Sequence, residues 1–285
     1  MKYISYMRDG LISCGFSSDC RIFDIPNAAR SFGNTTIPET LPEFVARFDD
    51  FHPIAVDMFE STTPARRPEL YFPAGQATLL PPIPAPPSVT VYRLPEMPIS
   101  NEGTSASDST QMLSPALLFK LESPELISPG DTLKAPEETQ LTFDYAIAAI
   151  IWKPGEDLSA EDAITHIVGL SLLTWVHLSD ANSECSAISV GPWLVTIDEF
   201  DPDGNSFDVN VMINNLSISN GNWGNLLQTL PKIIAETSKD GKLHSGEVLA
   251  FSPAQSAEES RRILHPGDRV TVAADGLGRL GNTIQ

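Results

Sequence analysis

Short apolar runs separated by turn signals are the dominant feature of the chain from residue 116 to its end. Such runs, bounded by Gly, Pro, Asn and Asp, are typical of β-strands. Only residues 157–168 and 225–237 show the wider apolar spacing of an amphipathic helix. The pattern predicts an α+β domain that is mostly β over residues 115–285, with strands near 116–121, 141–152, 170–178, 193–197, 207–213 and 269–273.

The first part of the chain, residues 1–114, has a different sequence pattern. Asp9 and Gly10 separate two alternating runs, which predicts a hairpin, and residues 40–60 have helical spacing. Residues 79–98 are rich in proline and must be extended, and residues 101–112 are small and polar. We therefore predict a small N-terminal β/α domain over 1–80, a Pro-rich linker with a mobile lid loop over 81–114, and a large domain over 115–285.

The charge of the chain limits its partners. It carries 37 acidic and 18 basic residues, a formal net charge of −19. This balance argues against nucleic acid and anionic membranes as partners, because both are bound by clustered Lys and Arg. Cys14, Cys20 and Cys185 show no C-x-x-C spacing, so we expect neither a disulfide framework nor a zinc cage. The start of the chain lacks a signal-peptide pattern, and no apolar run reaches the ~20 residues of a membrane span, so we expect a cytoplasmic protein.

Several motifs follow one another in a recognisable order. The turn SPGD at 128–131 is followed by TFDY at 142–145, by the helix that leads to Gly169, by GPWLVT with Asp198 and Glu199, and by DGLG with Gly281 and Asn282. In this order and spacing they resemble the fumarylacetoacetate hydrolase superfamily. The resemblance implies a C-terminal domain built as a mixed β-sandwich or roll, a small β-rich leading domain, and a homodimer.

The resemblance also implies a divalent metal site, where this sequence departs from the family pattern. The family holds Mg²⁺ or Mn²⁺ with the two glutamates of an E-x-E motif and an aspartate on the next strand. Hard cations of this kind need oxygen ligands. The matching positions here are Ala146, Ala148 and Trp175, which supply methyl groups and an indole. We therefore expect no metal at these positions and no other cofactor.

Strand alternation predicts which side chains share the former metal pocket. Positions 146 and 148 face it in the family, so Asp144 should face it too, and Trp175, His177 and Ser179 should do the same from the next strand. Asp144 and His177 are candidate acid–base partners in a partly apolar cavity. Their alternative roles are an ordinary structural aspartate and a core histidine. Lys120 is the third catalytic candidate, as a cationic anchor for an enolate or carboxylate, or else a structural lysine.

The predicted binding set for a small-molecule substrate combines apolar walls with a few polar groups. Its members are Trp175, Ser179, Asp180, Asn182, Tyr145, Ala146, Ala148, Phe119, Trp193 and Ser252.

Three functions are compatible with this set. The first is a metal-independent enzyme that cyclises (pericyclic ring closure included), isomerises or decarboxylates a polyketide-like or dicarbonyl intermediate of specialised metabolism. Holding a flexible substrate in a reactive conformation can by itself lower a barrier. The second is an inactive pseudoenzyme or binding subunit. The third is a metal-dependent acylpyruvate hydrolase or oxaloacetate decarboxylase with substitute ligands such as Asp144, Asp180 or His177.

Overall fold

The computed structural model describes residues 1–94, 115–133, 140–178, 185–201, 207–223, 226–253 and 262–285, without the side chains of Leu178, Cys185 and Ser186. Strands dominate these residues, so the prediction of an α+β fold with mostly β structure is confirmed. The described strands form one sheet of twelve and one of five.

The N-terminal strands begin with the predicted hairpin. Asp9 (φ 53°) and Gly10 (φ 79°) both lie in the left-handed region, as a tight two-residue hairpin turn requires. A third strand follows at once, which the sequence pattern missed because it is only four residues long. The strands of this part are β1 (Lys2–Arg8), β2 (Leu11–Ser18), β3 (Arg21–Asp24), β4 (Tyr71–Pro73), β5 (Thr78–Leu80) and β6 (Ser88–Arg93).

Three helices pack beside these strands: α1 (Ile25–Ser31), α2 (Leu41–Val45) and α3 (Phe48–Glu60). Asp24 caps α1, since its side chain accepts a hydrogen bond from the backbone N–H of Asn27. The single helix predicted over 40–60 is wrong in one respect, because Arg47 has a non-helical backbone and divides it in two. The aromatic rings of Phe44 and Tyr3, 5.3 Å apart, join α2 to the sheet.

The strands after residue 115 continue the same large sheet and build the second one. They are β7 (Ala116–Glu122), β8 (Leu126–Ile127), β9 (Thr132–Leu133), β10 (Leu141–Ile151), β11 (Ile167–Leu178), β12 (Cys185–Thr196), β13 (Asp208–Ile213), β14 (Leu216–Asn222), β15 (Val248–Ser252), β16 (Arg269–Ala274) and β17 (Gly278–Ile284).

The large sheet joins the two halves of the sequence. Its order is β4-β3-β2-β1-β12-β11-β10-β15-β6-β7, with β5 beside β1 and β8 beside β12. The pair β1–β12 connects them directly. Strand β6 lies between β15 and β7, so residues 88–93 of the predicted linker belong to the sheet. The predicted lid loop, residues 101–112, lies outside the described residues.

The helices of the C-terminal half differ in how well they were predicted. Helix α5 (Leu226–Thr237) matches the spacing seen in the sequence. Helix α4 (Ala160–Ala163) is much shorter than predicted and ends in one 3₁₀ turn, Ile164–His166. Ile167 and Val168, predicted on its buried face, are the first residues of β11. Runs of β-branched and apolar residues continue into the strand without a break, and this hid the boundary from the periodicity.

Strand β10 is buried on both faces and separates two apolar layers. Its odd-numbered residues, such as Phe143 and Ile147, pack with the small sheet (β14-β13-β16-β17-β9) and α5. Its even-numbered residues, such as Ala146 and Ala148, pack in the layer that holds Tyr3 and the N-terminal helices. This second layer carries the candidate site. None of the described helices is long and apolar enough to cross a membrane.

Candidate functional site

The antiparallel pair of β10 and β11 brings an acid and an imidazole together. In its register Asp144 lies opposite Trp175, and Thr142 lies opposite His177. All four side chains point to one face, because directly opposed residues of a ladder share a face and so do residues two apart. The Nε2 atom of His177 lies 3.1 Å from Oδ2 of Asp144, within hydrogen-bonding distance. The structure thus brings together the two residues that alternation predicted on one side.

The pair differs in exposure, and this assigns different tasks to its members. The Asp144 side chain is 8% exposed and the His177 side chain 26%. The imidazole can therefore meet a small molecule while the carboxylate holds it from behind. Thr142 Oγ1 lies 3.4 Å from both ring nitrogens of His177, which is too long for a strong hydrogen bond but helps to confine the ring.

Small and aromatic side chains surround the acid. Ala146 and Ala148 are completely buried, and Trp175 is 4% exposed. The ring of Phe119 meets that of Trp175 edge to face, with centroids 5.7 Å apart and an interplanar angle of 73°. This geometry is favourable for aromatic pairs. The wall beside Asp144 is consequently apolar and rigid.

Ser252 and Arg93 lie on the same face of the sheet. The strand that carries Ala146 separates them from β11. They are direct partners in the parallel pair β15–β6. Ser252 is completely buried, and its Oγ has no hydrogen-bond partner among the described residues. Ser252 was in the predicted binding set, whereas Arg93 was missed. The signal for Arg93 is its register beside Ser252, which the sequence does not reveal because β6 lies in a Pro-rich stretch.

Three predicted site residues lie elsewhere in the fold. Lys120 pairs with Thr90 and points to the opposite face from Phe119, where it donates to Glu122 at 3.0 Å. This hydrogen bond raises the pKa of Lys120, whose side chain is about half exposed. Lys120 therefore does not share the face of the sheet that carries Asp144, because adjacent residues of a strand face opposite ways.

Tyr145 and Trp193 are also separated from the site. Tyr145 is one of the odd-numbered residues of β10, on the opposite face, and lies near the ring of Trp223 at 6.2 Å. Trp193 lies far along β12, beneath Lys2 and against Gly278. The structure therefore does not bring these two predicted wall residues together with Asp144 and His177. Ser179, Asp180 and Asn182 lie outside the described residues.

The oxygen and nitrogen donors of this face do not fit a magnesium or manganese ion. Asp144 is the one carboxylate that the described strands place on it, and His177 already holds one of its oxygens. No group of three His, Cys, Asp or Glu suited to a metal occurs among the described residues. Mg²⁺ demands near-ideal octahedral oxygen coordination, and methyl groups and an indole occupy the three positions that the family pattern would assign to ligands.

A small cavity lies on the other face of the same strands. Its volume is about 10 Å³, and Phe143, Thr174, Val176 and Asn282 are among its lining residues. It has room for about one water molecule. It is too small to hold a substrate and does not connect to the Asp144–His177 pair across the sheet.

Comparisons with known proteins agree with this architecture. The sequence profile of one family, described as fumarylacetoacetate (FAA) hydrolase C-terminal, matches residues 99–285. Relatives in Staphylococcus aureus strains USA300 and N315, both uncharacterized proteins, are 27% identical over 172 residues. These matches cover 54% of this chain and 57% of each relative, so the chain spans little more than half the length of the curated relatives it matches.

Solved structures match over the whole chain. Maleylpyruvate hydrolase from Sphingobium sp. SYK-6, in complex with manganese(II) and pyruvate, is 19% identical with a TM-score of 0.75 and covers 100% of this chain and 98% of its own. Fumarylacetoacetate hydrolase from Exiguobacterium antarcticum is 21% identical with a TM-score of 0.74, at 100% and 99% coverage. 2-Hydroxyhepta-2,4-diene-1,7-dioate isomerase from Mycobacterium marinum is 17% identical with a TM-score of 0.69, at 100% and 98% coverage. At these identities the likeness establishes the fold.

Proposed function

The chain belongs to the fumarylacetoacetate hydrolase C-terminal family, and on this premise we propose that it is an enzyme in which the Asp144–His177 pair moves a proton on a small carbonyl compound. The proposed reaction is keto–enol isomerisation of a 2-oxo acid or a 1,3-dicarbonyl compound. The observation that carries the proposal is the 3.1 Å contact between a buried carboxylate and a partly exposed imidazole. A histidine that is held and oriented by a carboxylate is a common general base in enzymes that transfer protons.

The names of the structural neighbours support this reaction class. They include a hydrolase of maleylpyruvate and an isomerase of 2-hydroxyhepta-2,4-diene-1,7-dioate. Isomerisation asks less of the protein than hydrolysis of a carbon–carbon bond, because it needs only one proton to leave and one to arrive. A histidine oriented by an aspartate can supply both steps, so we favour isomerisation for a chain with Ala146, Ala148 and Trp175 at the positions where the family pattern leads us to expect carboxylates.

The proposed step assigns a distinct atom to each task. Nε2–H of His177 donates to Oδ2 of Asp144, and this fixes the tautomer in which Nδ1 is the basic nitrogen. In ketonisation, Nδ1 accepts the proton from the enol oxygen, and the imidazolium that forms returns one proton to the neighbouring carbon. Asp144 stabilises the imidazolium between the two transfers. Proton and charge balance without an added reactant.

The ketonisation of two model enols tests the proposal. Oxaloacetate and phenylpyruvate enols would be mixed with the full chain in buffer containing a chelator, and the loss of enol absorbance would be followed. We expect acceleration by the wild type and a loss of about 10²-fold or more in His177→Ala, since general acid–base catalysis contributes about that much. His265→Ala is the matched control, because that imidazole is 75% exposed at a turn.

Two outcomes would overturn the proposal. Activity that the chelator abolishes and Mg²⁺ or Mn²⁺ restores would assign the chemistry to a metal and to substitute ligands. Equal rates in the wild type and His177→Ala would remove the imidazole from the mechanism.

A second candidate function is a binding subunit without catalysis. The specific observation in its favour is the packing of Trp175, which is 4% exposed beside the completely buried Ala146 and Ala148. This packing leaves the acid–base pair at the margin of a filled apolar layer. A complete lack of ketonisation by the wild type, together with measurable binding of the same enols in calorimetry, would favour this second function.

A further inference from the structure

The side-chain amide of Asn282, on β17, is buried but only half paired. Its Nδ2 donates to the backbone oxygens of Ser128 and Asp131, at 2.9 and 3.1 Å, and so holds the turn between β8 and β9. Its Oδ1 is buried and has no hydrogen-bond partner among the described residues, and the residue as a whole is only 7% exposed. Buried oxygens of this kind are nearly always paired with protein or with ordered water, and an unpaired one is costly.

The backbone oxygens of Ser128 and Asp131 also fix the orientation of this amide. Turning the amide over would place Oδ1 against these two oxygens and would break both hydrogen bonds, because an amide oxygen can only accept. The unpaired atom of Asn282 is therefore its oxygen. The group that it requires is a hydrogen-bond donor.

Asn282 lines the small cavity described above together with two hydroxyl-bearing residues, Thr174 and Ser189. These two are directly opposed in the pair β11–β12 and so share a face. The Oγ atom of Ser189 already donates its proton to the backbone oxygen of Ile127, at 2.9 Å, so toward a further partner it can only accept. The hydroxyl of Thr174 has both a proton and lone pairs.

We propose that this cavity is a binding site for one water molecule, held by Asn282, Thr174 and Ser189. The water donates one proton to Oδ1 of Asn282 and the other to Oγ of Ser189, and it accepts the proton of the Thr174 hydroxyl. Each group thus acts in a role that its chemistry leaves open. A cavity needs about 10–15 Å³ and two to four polar partners to hold a water. This cavity, with a volume of about 10 Å³ and three polar residues in its wall, meets both conditions.

The proposed water connects the two sheets behind the acid–base pair. Thr174 and Ser189 belong to the large sheet, and Asn282 belongs to the small one. Thr174 precedes Trp175 on β11 and therefore faces away from Asp144 and His177. The water would support β11, the strand that carries His177, from its opposite face. This role is independent of the proposed function, because it needs no substrate and no turnover.

Crystal structures of the full chain, at a resolution that shows ordered water, test the site. We expect the wild type to show one water within about 3.2 Å of Oδ1 of Asn282 and of Oγ1 of Thr174. Thr174→Val has nearly the same shape but lacks the hydroxyl, so its cavity water should be lost or should have clearly lower occupancy. Thr174→Ser keeps the hydroxyl and should keep the water.

A control and a solution measurement make the test decisive. Thr78→Val, at an exposed position of β5, should leave the cavity water as it is in the wild type. In solution, the side-chain amide protons of Asn282 should show a nuclear Overhauser effect to a slowly exchanging water in the wild type and in Thr174→Ser, which also serves if Thr174→Val does not fold. A cavity without water in the wild type, a water that does not contact Asn282, or a water equally ordered in Thr174→Val would overturn the proposed site.

Discussion

Oδ2 of Asp144 lies 3.1 Å from Nε2 of His177, while the other oxygen of the same carboxylate, Oδ1, is buried with no hydrogen-bond partner among the described residues. The aspartate is therefore only half satisfied by the protein around it. Burial of such a group costs free energy, and groups of this kind concentrate at functional sites. The relationship between these two side chains leads to a prediction that separates function from stability.

Asp144→Asn should lower activity without lowering stability. The amide removes the negative charge that orients and stabilises the imidazole, so ketonisation should slow by about 10²-fold. The amide has nearly the same shape and is cheaper to bury than a half-paired carboxylate, so the free energy of unfolding should rise or change by less than ~1 kcal/mol. Denaturant unfolding and enol absorbance measure the two quantities on one preparation.

The control for this change is Asp275→Asn, at an exposed turn position. It should alter neither quantity. A clear loss of stability in Asp144→Asn with unchanged ketonisation would make Asp144 a structural residue.

Trp175 should be a major source of stability. Its ring is 4% exposed and meets Phe119 edge to face. Trp175→Ala should reduce the free energy of unfolding by about 3–5 kcal/mol, the range for removing a large buried aromatic side chain. Urea unfolding measures the loss, and we expect the slope of the unfolding free energy against urea concentration to stay unchanged.

The loss of stability in Trp175→Ala is compared with that of a substitution on the neighbouring strand β7. Leu118 is 36% exposed, and Leu118→Ala should cost far less than Trp175→Ala. A loss below ~1 kcal/mol for Trp175→Ala would mean that the indole fills no required volume and that the pocket is open.

Once the resemblance had assigned positions 146 and 175 to one face, strand alternation was sufficient to predict that Asp144 and His177 share it. The side-chain period of a strand is two, so fixing the face of position 146 fixes that of Asp144, and fixing the face of Trp175 fixes that of His177. What alternation cannot supply is the order of strands in the sheet. Lys120 and Arg93 lie on β7 and β6, and only the pairing of those strands with each other and with β15 determines which side chain faces Asp144.

Element boundaries were harder to predict than element types. The β-rich class followed from the short apolar runs, but α4 was overextended because Ile167 and Val168 continue a helical spacing into β11. Tyr145 illustrates a different limit. Its strand is buried on both faces, so burial alone cannot distinguish the site face from the face that packs on the small sheet.

The His52–Tyr3 contact predicts a pH dependence of stability. The phenol of Tyr3 lies 2.6 Å from Nδ1 of His52, and burial lowers the pKa of His52 while nearby Asp198 opposes the shift. A histidine with a lowered folded-state pKa stabilises the fold above its unfolded pKa, about 6.5, and this contribution is lost as the pH falls through the folded value. Stability should therefore fall between pH 7 and pH 5.

His52→Phe should remove this part of the pH dependence. The rings of His52 and Phe48 are stacked with centroids 4.5 Å apart. A phenyl ring at position 52 keeps this stacking but cannot be protonated. Unfolding free energies at pH 5 and pH 7 would be compared for the wild type, His52→Phe and His244→Gln, whose imidazole is 61% exposed. A fall in His52→Phe as large as that in the wild type would assign the dependence to other groups.

Gly278 should be far less tolerant of a side chain than Gly10. Both have positive φ, 90° and 79°, so alanine is strained at either position. A Cβ at Gly278 would lie 2.3 Å from the Trp193 ring, whereas a Cβ at Gly10 would meet nothing within 4 Å. Gly10→Ala should cost about 1–2 kcal/mol from backbone strain, and Gly278→Ala should cost about 1–3 kcal/mol more from overpacking.

The difference between the two glycine variants isolates the contact with Trp193, because the strain of the backbone is common to both. Denaturant unfolding of the two variants and of Gly278→Ala with Trp193→Leu measures it. The smaller side chain at 193 should recover part of the loss, since it removes the ring that the new methyl group strikes. Equal losses in Gly10→Ala and Gly278→Ala would show that Trp193 moves aside at little cost.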